Sequence, residues 1–338
     1  MKRAVAGLLF AGALAGMPAR AQLQIKGYLS FIYQDGEAQS YSPYGQFGGS
    51  RAGLFFSGVV DQAFIYNLET RFDSHDLFEV QEAWVGYGPS EAFKVKAGMY
   101  LVPFGIYNTA SRPYETPLIR TPLAQAALYP EGWRDLGLLT EGQTKVFRYA
   151  AYLGNGLREG ADLGSGQQYG DNNGNKGEGL LAALRLSREF EMGVSYNRSK
   201  FDDEAKRKLE LWSGHVSWVS QAFRFMYEYD QAEIENPAGY ANGELQGHLV
   251  LGTFSWGGFS PVVSYQKLEY EDPYHGADFS VSGAVAGLGI IRSESRWTVG
   301  LVFAPAASVM LKLEYEFNEE KLAEIDNDIL YVQVALHF

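Results

Sequence analysis

The nine residues from Leu330 to Phe338, LYVQVALHF, place Leu330, Val332, Val334, Leu336 and Phe338 at alternate positions, with Tyr331, Gln333, Ala335 and His337 between them. Side chains of an extended strand point to opposite faces in turn, so this segment reads as a strand with one continuous apolar face and one mixed face. The same dyad recurs upstream. Leu23, Ile25, Leu29 and Phe31 alternate with Gln24, Lys26, Tyr28 and Ser30; Phe223, Phe225, Tyr227 and Tyr229 alternate with Arg224, Met226, Glu228 and Asp230; Leu311, Leu313, Tyr315 and Phe317 alternate with Lys312, Glu314 and Glu316. Charges fall almost entirely in the second set. In a soluble sandwich the polar face would look outward; in a membrane barrel it looks into the lumen and the apolar face meets lipid.

The remaining features select the barrel. No segment offers eighteen consecutive apolar residues, the length a spanning helix needs. Yet the chain is 14% aromatic, with 22 Tyr and 21 Phe gathered at strand ends, as interfacial girdles are. Sixteen candidate strands can be drawn between residues 23 and 338, an even number as single-chain bacterial barrels have. Links alternate between short ones, such as Pro89–Ala92, Gln221–Ala222 and Ala304–Ser308, and long ones, Asp35–Ser50, Leu101–Trp133, Gly156–Glu178 and Tyr270–Glu294. The expected fold is therefore all-β, a single antiparallel transmembrane β-barrel of about sixteen strands.

The N-terminus implies export. Lys2 and Arg3 precede an apolar run from Ala4 to Met17 and an A-x-A site at Ala19-Arg20-Ala21. That is the organisation of a cleaved signal peptide, residues 1–21, leaving a barrel domain over 22–338. With no cysteine, neither a disulfide framework nor a thiolate metal site is open to it. Net charge is −12, and loss of Lys2, Arg3 and Arg20 makes it −15, which argues against nucleic acid as a partner. The chain ends on Phe338, on the apolar face of its last strand, a feature that resembles the signal read by the outer-membrane barrel-assembly machinery.

The connection Leu101–Trp133 carries five prolines and also Leu118, Ile119, Leu123, Ala124, Ala126, Ala127 and Leu128. That apolar content predicts a loop folded into the barrel, with a short helix on the rim as the alternative. Folded inward, its charges Arg112, Glu115, Arg120 and Glu131 are candidates for a constriction, since pores select ions by charge at narrow points. Strand phase names the other candidates for the lumen wall. The basic ones are Lys26, Arg51, Arg71, Lys94, Lys96, Arg148, Arg185, Arg224, Arg296 and Lys312; the acidic ones are Glu69, Asp73, Glu82, Glu191, Glu228, Glu314 and Glu316. Ten cations against seven anions lean weakly towards anion passage. His215 and His248 also phase inward.

Signals for other chemistry fail. Asp171, Asn173 and Asn175 have calcium-loop spacing, but Lys176 occupies the turn glycine's place and no acid closes the loop. The histidines show no HExxH spacing, and there is no G-x-S-x-G elbow. No catalytic, metal or cofactor site is expected. A barrel enzyme would need a nucleophile or acid–base cluster at one rim, and a sheath or adhesin barrel would need a partner site; neither pattern is present.

The stretch Val80–Pro113 resembles the phosphate-selective porin family of the O and P type. It has that family's EA-aromatic-V strand in Glu82-Ala83-Trp84-Val85, its K-x-x-AG strand ending at Gly98, and its PFG turn in Pro103-Phe104-Gly105. Trp133-Arg134-Asp135-Leu136-Gly137 resembles the RD-x-G strand start, and the strand from Tyr149 ends in the matching Asn155-Gly156. With the last strand, the likeness covers about a third of the chain. It implies a sixteen-stranded, homotrimeric porin in outer-membrane lipid, with an inward constriction loop and passive diffusion of small hydrophilic solutes or ions. The sequence departs from the pattern where phosphate selectivity would lie: Arg112 and Arg120 are the only arginines in Leu101–Trp133, and basic residues elsewhere alternate with acids. Fold and channel role carry over; phosphate does not.

Overall fold

In the computed structural model, residues 22–338 are described apart from 62, 74–77, 286–288 and 323–324, so the leader expected at 1–21 and His75 lie outside the described residues. The strands are β1 Gln22–Gly36, β2 Gln46–Val60, β3 Phe64–Asp73, β4 Phe78–Ser90, β5 Phe93–Leu101, β6 Arg134–Gln143, β7 Phe147–Gly154 and β8 Gly177–Arg185. They continue as β9 Phe190–Lys200, β10 Lys208–Val219, β11 Phe223–Ile234, β12 Gly243–Phe254, β13 Phe259–Asp272, β14 Ser293–Ala306, β15 Val309–Glu320 and β16 Ile329–His337. Each pairs antiparallel with its neighbours in sequence, and β1 pairs with β16 to close the barrel. Closure satisfies every strand edge, which a sheet in hydrocarbon requires because lipid offers no hydrogen bonds.

The seam is sewn by the chain's last residue. Phe338 and Gly27 exchange both backbone hydrogen bonds at 3.0 Å. The Phe338 ring lies over Gly27, where a Cβ would come within 2.6 Å of Cζ, so glycine is what lets the ring lie flat there.

The alternation sorts as the period-two pattern requires. On β16, Val332, Val334 and Leu336 are exposed while Tyr331 and Gln333 are 1% and 2% exposed. Aromatic pairs gather at both ends of the barrel. Phe259–Phe303 at 4.5 Å and Phe64–Tyr87 at 5.6 Å mark the end with the short turns, and Tyr265–Trp297 at 4.8 Å and Tyr315–Phe317 at 4.6 Å mark the end with the long loops. Amphipathic rings suit the two membrane interfaces.

One part of the phase reading is corrected. His215 does face inward, but His248 faces outward, stacked between Tyr227 and Tyr229, with its Nδ1 3.1 Å from the Tyr227 hydroxyl. Leu245, Leu249 and Leu251 are the inward residues of β12. The outward face carries Glu244, Gln246 and His248 beside Val250 and Phe254, so over 244–249 polar residues stand outside and leucines inside, the reverse of the rule for a wet lumen.

Candidate functional site

The connection between β5 and β6 crosses the inside of the barrel. Its two ends are tied by Asn108, whose Nδ2 donates to the Val102 and Trp133 carbonyls at 2.8 and 3.0 Å while its Oδ1 accepts from the Trp133 amide at 2.8 Å. Phe104, Tyr129 and Trp133 pack together at 5.5–5.8 Å between ring centres. The loop folds inward, and part of it, Leu123–Leu128, is helical, here α1; the helix lies within the barrel against β11, β12 and β13 and not on the rim. A Cβ at Gly247 would collide with the Ala124 side chain, so glycine on β12 admits the helix.

Wall residues grip this loop by its backbone. Gly105 donates to Ser195 Oγ on β9 at 3.1 Å, and Ile106 and Tyr107 donate to Glu228 Oε2 on β11 at 3.2 Å. The Leu123 amide donates to Gln266 on β13 and the Ile119 amide to Glu314 on β15, each at 2.9 Å. Lys312 Nζ donates to the carbonyls of Pro113, Thr116 and Leu118 at 2.7, 2.8 and 3.3 Å. A buried charge is tolerable when its hydrogen-bonding capacity is filled, and the loop backbone fills it. Glu228, Lys312 and Glu314 therefore face inward as their phase predicts, but the loop covers them. They fasten it and do not line water.

The lumen itself differs from the expected water-filled channel. Across β6–β13 the inward residues include Leu139, Tyr152, Leu181, Leu209, Leu211 and Leu245, which pack against Phe104, Leu128, Tyr129 and Trp133 of the loop. Leu157 and Leu163, from the 155–176 loop, and Tyr274, from the 273–292 loop, complete the cluster. Beside the loop this part of the interior is thus a packed apolar core, where the sequence predicts a water-filled lumen with charged walls.

The polar opening lies on the other side. A cavity of about 490 Å³ is bounded by Ile32, Gln34, Arg51, Tyr107, Ile119, Arg120, Glu131, Asp162, Tyr331 and Gln333, among others. Arg51 on β2 and Glu131 on the loop form an ion pair at 2.6 Å. Burial pushes the Glu131 carboxyl up, but the charges of Arg51 and then Arg71 outweigh it and hold the group below the ordinary glutamate range. Arg120 donates from Nη1 to the Tyr41 hydroxyl at 2.5 Å and lies 4.7 and 5.8 Å from the Tyr41 and Tyr331 ring centres. The Tyr41 and Tyr331 hydroxyls are bonded to each other.

The other sequence candidates are placed elsewhere. Arg112 is bound to Glu69 at 2.5 and 3.1 Å, to Glu115 at 3.2 Å and lies 3.6 Å from Glu82. It anchors the loop to β3 and β4. Glu115 borders the opening towards the short turns, where its carbonyl accepts from Arg224 at 3.4 Å. Arg71 pairs with Glu79 at 2.8 Å, Lys96 with Glu141 at 2.7 Å and Lys94 with Glu91 at 2.7 Å. Arg148 and Arg185 share Glu191 at 2.5 and 3.7 Å, and Arg296 meets Asn318 at 2.7 Å and Glu316 at 3.4 Å. Lys26 stands opposite Phe55 near the short-turn end. The convergence of Arg51, Arg120 and Glu131 on one cavity was within reach of the sequence. Asp162, Gln34 and Gln333 were not named as site residues: Asp162 sits alone in a glycine-rich loop, and the glutamines carry no charge signal.

The two separate motifs at Arg134–Gly137 and Asn155–Gly156 meet in space. Asp135 accepts the amides of Asn155 and Gly156, each at 2.9 Å. Where they meet, β6 begins, β7 ends and the 155–176 loop starts, so the contact ties the base of that loop to the barrel wall.

A sixteen-stranded barrel holding a loop across its lumen beside a polar opening has the form of a diffusion channel, and the model of the Gram-negative porin family matches residues 4–335. The chain belongs to that family. As a porin of this family it is a channel of the outer membrane for small solutes. Solved porins share its architecture at low identity. The in-vitro folded OmpT of Vibrio cholerae in its trimer form is 12% identical, with 94% of this chain and 99% of that one covered and a TM-score of 0.65. The anion-selective porin from Comamonas acidovorans is 12% identical, with 94% and 99% covered and a TM-score of 0.67. These likenesses are of fold. A protein of Aquifex aeolicus is 26% identical over 171 residues, 47% of this porin, and the match spans only 38% of that relative's length.

Proposed function

We propose that this porin passes small hydrophilic solutes and ions by passive diffusion along the cavity between its inward loop and the β1–β2–β16 wall, with Arg51, Arg120 and Glu131 at the narrow part. The observation that carries this reading is that strand and loop charges converge on the polar cavity of about 490 Å³, while across β6–β13 apolar wall residues pack against the loop. The lean towards anions rests on Arg120, because Arg51 is neutralised by Glu131. It is small, because Asp162 faces the same space. Phosphate selectivity is not supported, because the cavity holds two carboxylates beside its two arginines and so no concentrated positive site.

Export through a leader cleaved after Ala21, delivery by the barrel-assembly machinery through Phe338 and assembly as a homotrimer belong to the same reading. The Vibrio relative's trimer form and the resemblance to the O and P type support the last of these. Planar-bilayer recording of the purified protein tests the channel: an open, ohmic conductance with a reversal potential slightly on the anion side in a salt gradient is expected. A protein that inserts but conducts no ions would refute it.

A further inference from the structure

Among the described residues, two charges in the cavity have no partner of opposite sign. Arg120 uses Nη1 on Tyr41, and among the described residues its Nε and Nη2 meet no protein acceptor. The two acids whose fields reach it are engaged elsewhere, Glu316 with Arg296 at 3.4 Å and Glu131 with Arg51 at 2.6 Å. Asp162 borders the same cavity from the 155–176 loop. Its Oδ1 accepts the Ser165 amide at 2.7 Å, and no basic side chain of the described residues comes within salt-bridge distance.

Asp162 is held in position from the far side of the mouth. Gly160 accepts from the Tyr274 hydroxyl at 3.0 Å and from the Ala277 amide at 2.9 Å, and the Ala161 carbonyl accepts from Ser280 Oγ at 2.5 Å. The cavity wall they share also presents Ile32, Tyr107, Ile119 and Tyr331 as apolar surface. Arg120 and Asp162 are thus separate, open charges of opposite sign within about 490 Å³, a volume in the range of small-molecule sites.

We infer that the passage favours zwitterionic solutes of amino-acid size with an apolar body, the carboxylate meeting Arg120 and the ammonium meeting Asp162. A solute with one charge is attracted by one of these groups and repelled by the other, whereas a zwitterion is attracted by both. Discrimination of this kind comes as much from the repulsive contact as from the attractive one. The inference rests on the channel reading and adds the class of solute.

The test compares fluxes of L-phenylalanine, 3-phenylpropionate and phenethylamine, three solutes with one common body, into vesicles carrying the full porin. Phenylalanine should pass about two- to fivefold faster than either single-charge analogue, the worth of one solvent-exposed ion pair. The preference should shrink at about 1 M salt, where exposed charges are screened. Arg120→Gln should raise the amine relative to the acid, Asp162→Asn should do the reverse, and the double variant should erase the preference. Both positions are in loops outside the strand ladder, and the wild-type comparison decides the matter even if a variant fails to assemble. Equal or slower passage of phenylalanine in vesicles that conduct potassium chloride would overturn the inference and leave the channel reading standing. No salt conductance at all would sink both.

Discussion

Lys312→Met isolates the fastening of the loop from the integrity of the barrel. Lys312 lies on β15, 2% exposed, and its ammonium serves three loop carbonyls, two of them at 2.7 and 2.8 Å. Hydrogen bonds to a charged group contribute about 1.5–3 kcal/mol each, and a buried acceptor left without a donor loses its desolvation cost as well. Water from the neighbouring cavity can reach part of the freed backbone, and methionine fills most of the lysine's volume. Counting the two short bonds and allowing for rewetting gives a loss of about 3 kcal/mol. At about 1.4 kcal/mol per tenfold change, the population of loops released from this wall rises about a hundredfold. The strand ladder is untouched, so the heat-dependent shift in gel mobility that marks a folded barrel should persist. Single-channel records should show larger steps and more frequent flicker. A folded Lys312→Met barrel with the step size and noise of the wild type would refute the claim that this side chain holds the loop.

Arg112→Ala and Arg120→Ala should differ: Arg112 is enclosed by Glu69, Glu82 and Glu115, so its loss should loosen the loop and raise channel noise, whereas loss of Arg120 should move the reversal potential towards cation preference. Identical shifts for the two would contradict their placement. Gly247→Val forces a branched side chain against Ala124, an overpacking that costs about 1–3 kcal/mol; the heat-modification temperature should fall, and an unchanged value would show that α1 does not press on β12. Deletion of Phe338 removes both backbone bonds to Gly27 and should reduce assembly into the outer membrane, and normal surface levels would count against the seam as an assembly determinant. Because Glu131 is held below the ordinary glutamate range, its pair with Arg51 is present at neutral pH and is lost only as pH falls through that lowered value. The share of ion preference that depends on Glu131 should therefore stay flat between about pH 8 and pH 5, and a swing in that window that Glu131→Gln abolishes would refute the pairing.

Most of the wall was legible in the sequence because lipid imposes contrast. On β16 and β15 every second residue must be apolar, so LYVQVALHF and LKLEYEF announce both strand and phase. Legibility failed where the interior is dry. On β12, Leu245, Leu249 and Leu251 stand inside while Glu244, Gln246 and His248 stand outside, so the usual rule points His248 to the wrong face. The inward loop was readable from its apolar content, but the roles of its charges were not. Arg112 and Arg120 look alike in sequence; only the arrangement of Glu69, Glu82 and Glu115 around one, and of tyrosines around the other, separates an anchor from an open cation. Phase told that Lys312 and Glu314 turn inward, but could not tell that a backbone would be lying on them.

The packed part of this porin has a consequence before the channel exists. Strands such as β8 and β10 carry greasy side chains on both faces, Leu180 beside Leu181 and Leu211 beside Trp212. Until the loop docks and lipid surrounds the wall, these segments present two adhesive surfaces to water, along with unpaired edges, the combination that drives off-pathway association. The newly exported chain must therefore be shielded on two sides at once, a heavier demand on its escorts than a barrel with a wet interior would make.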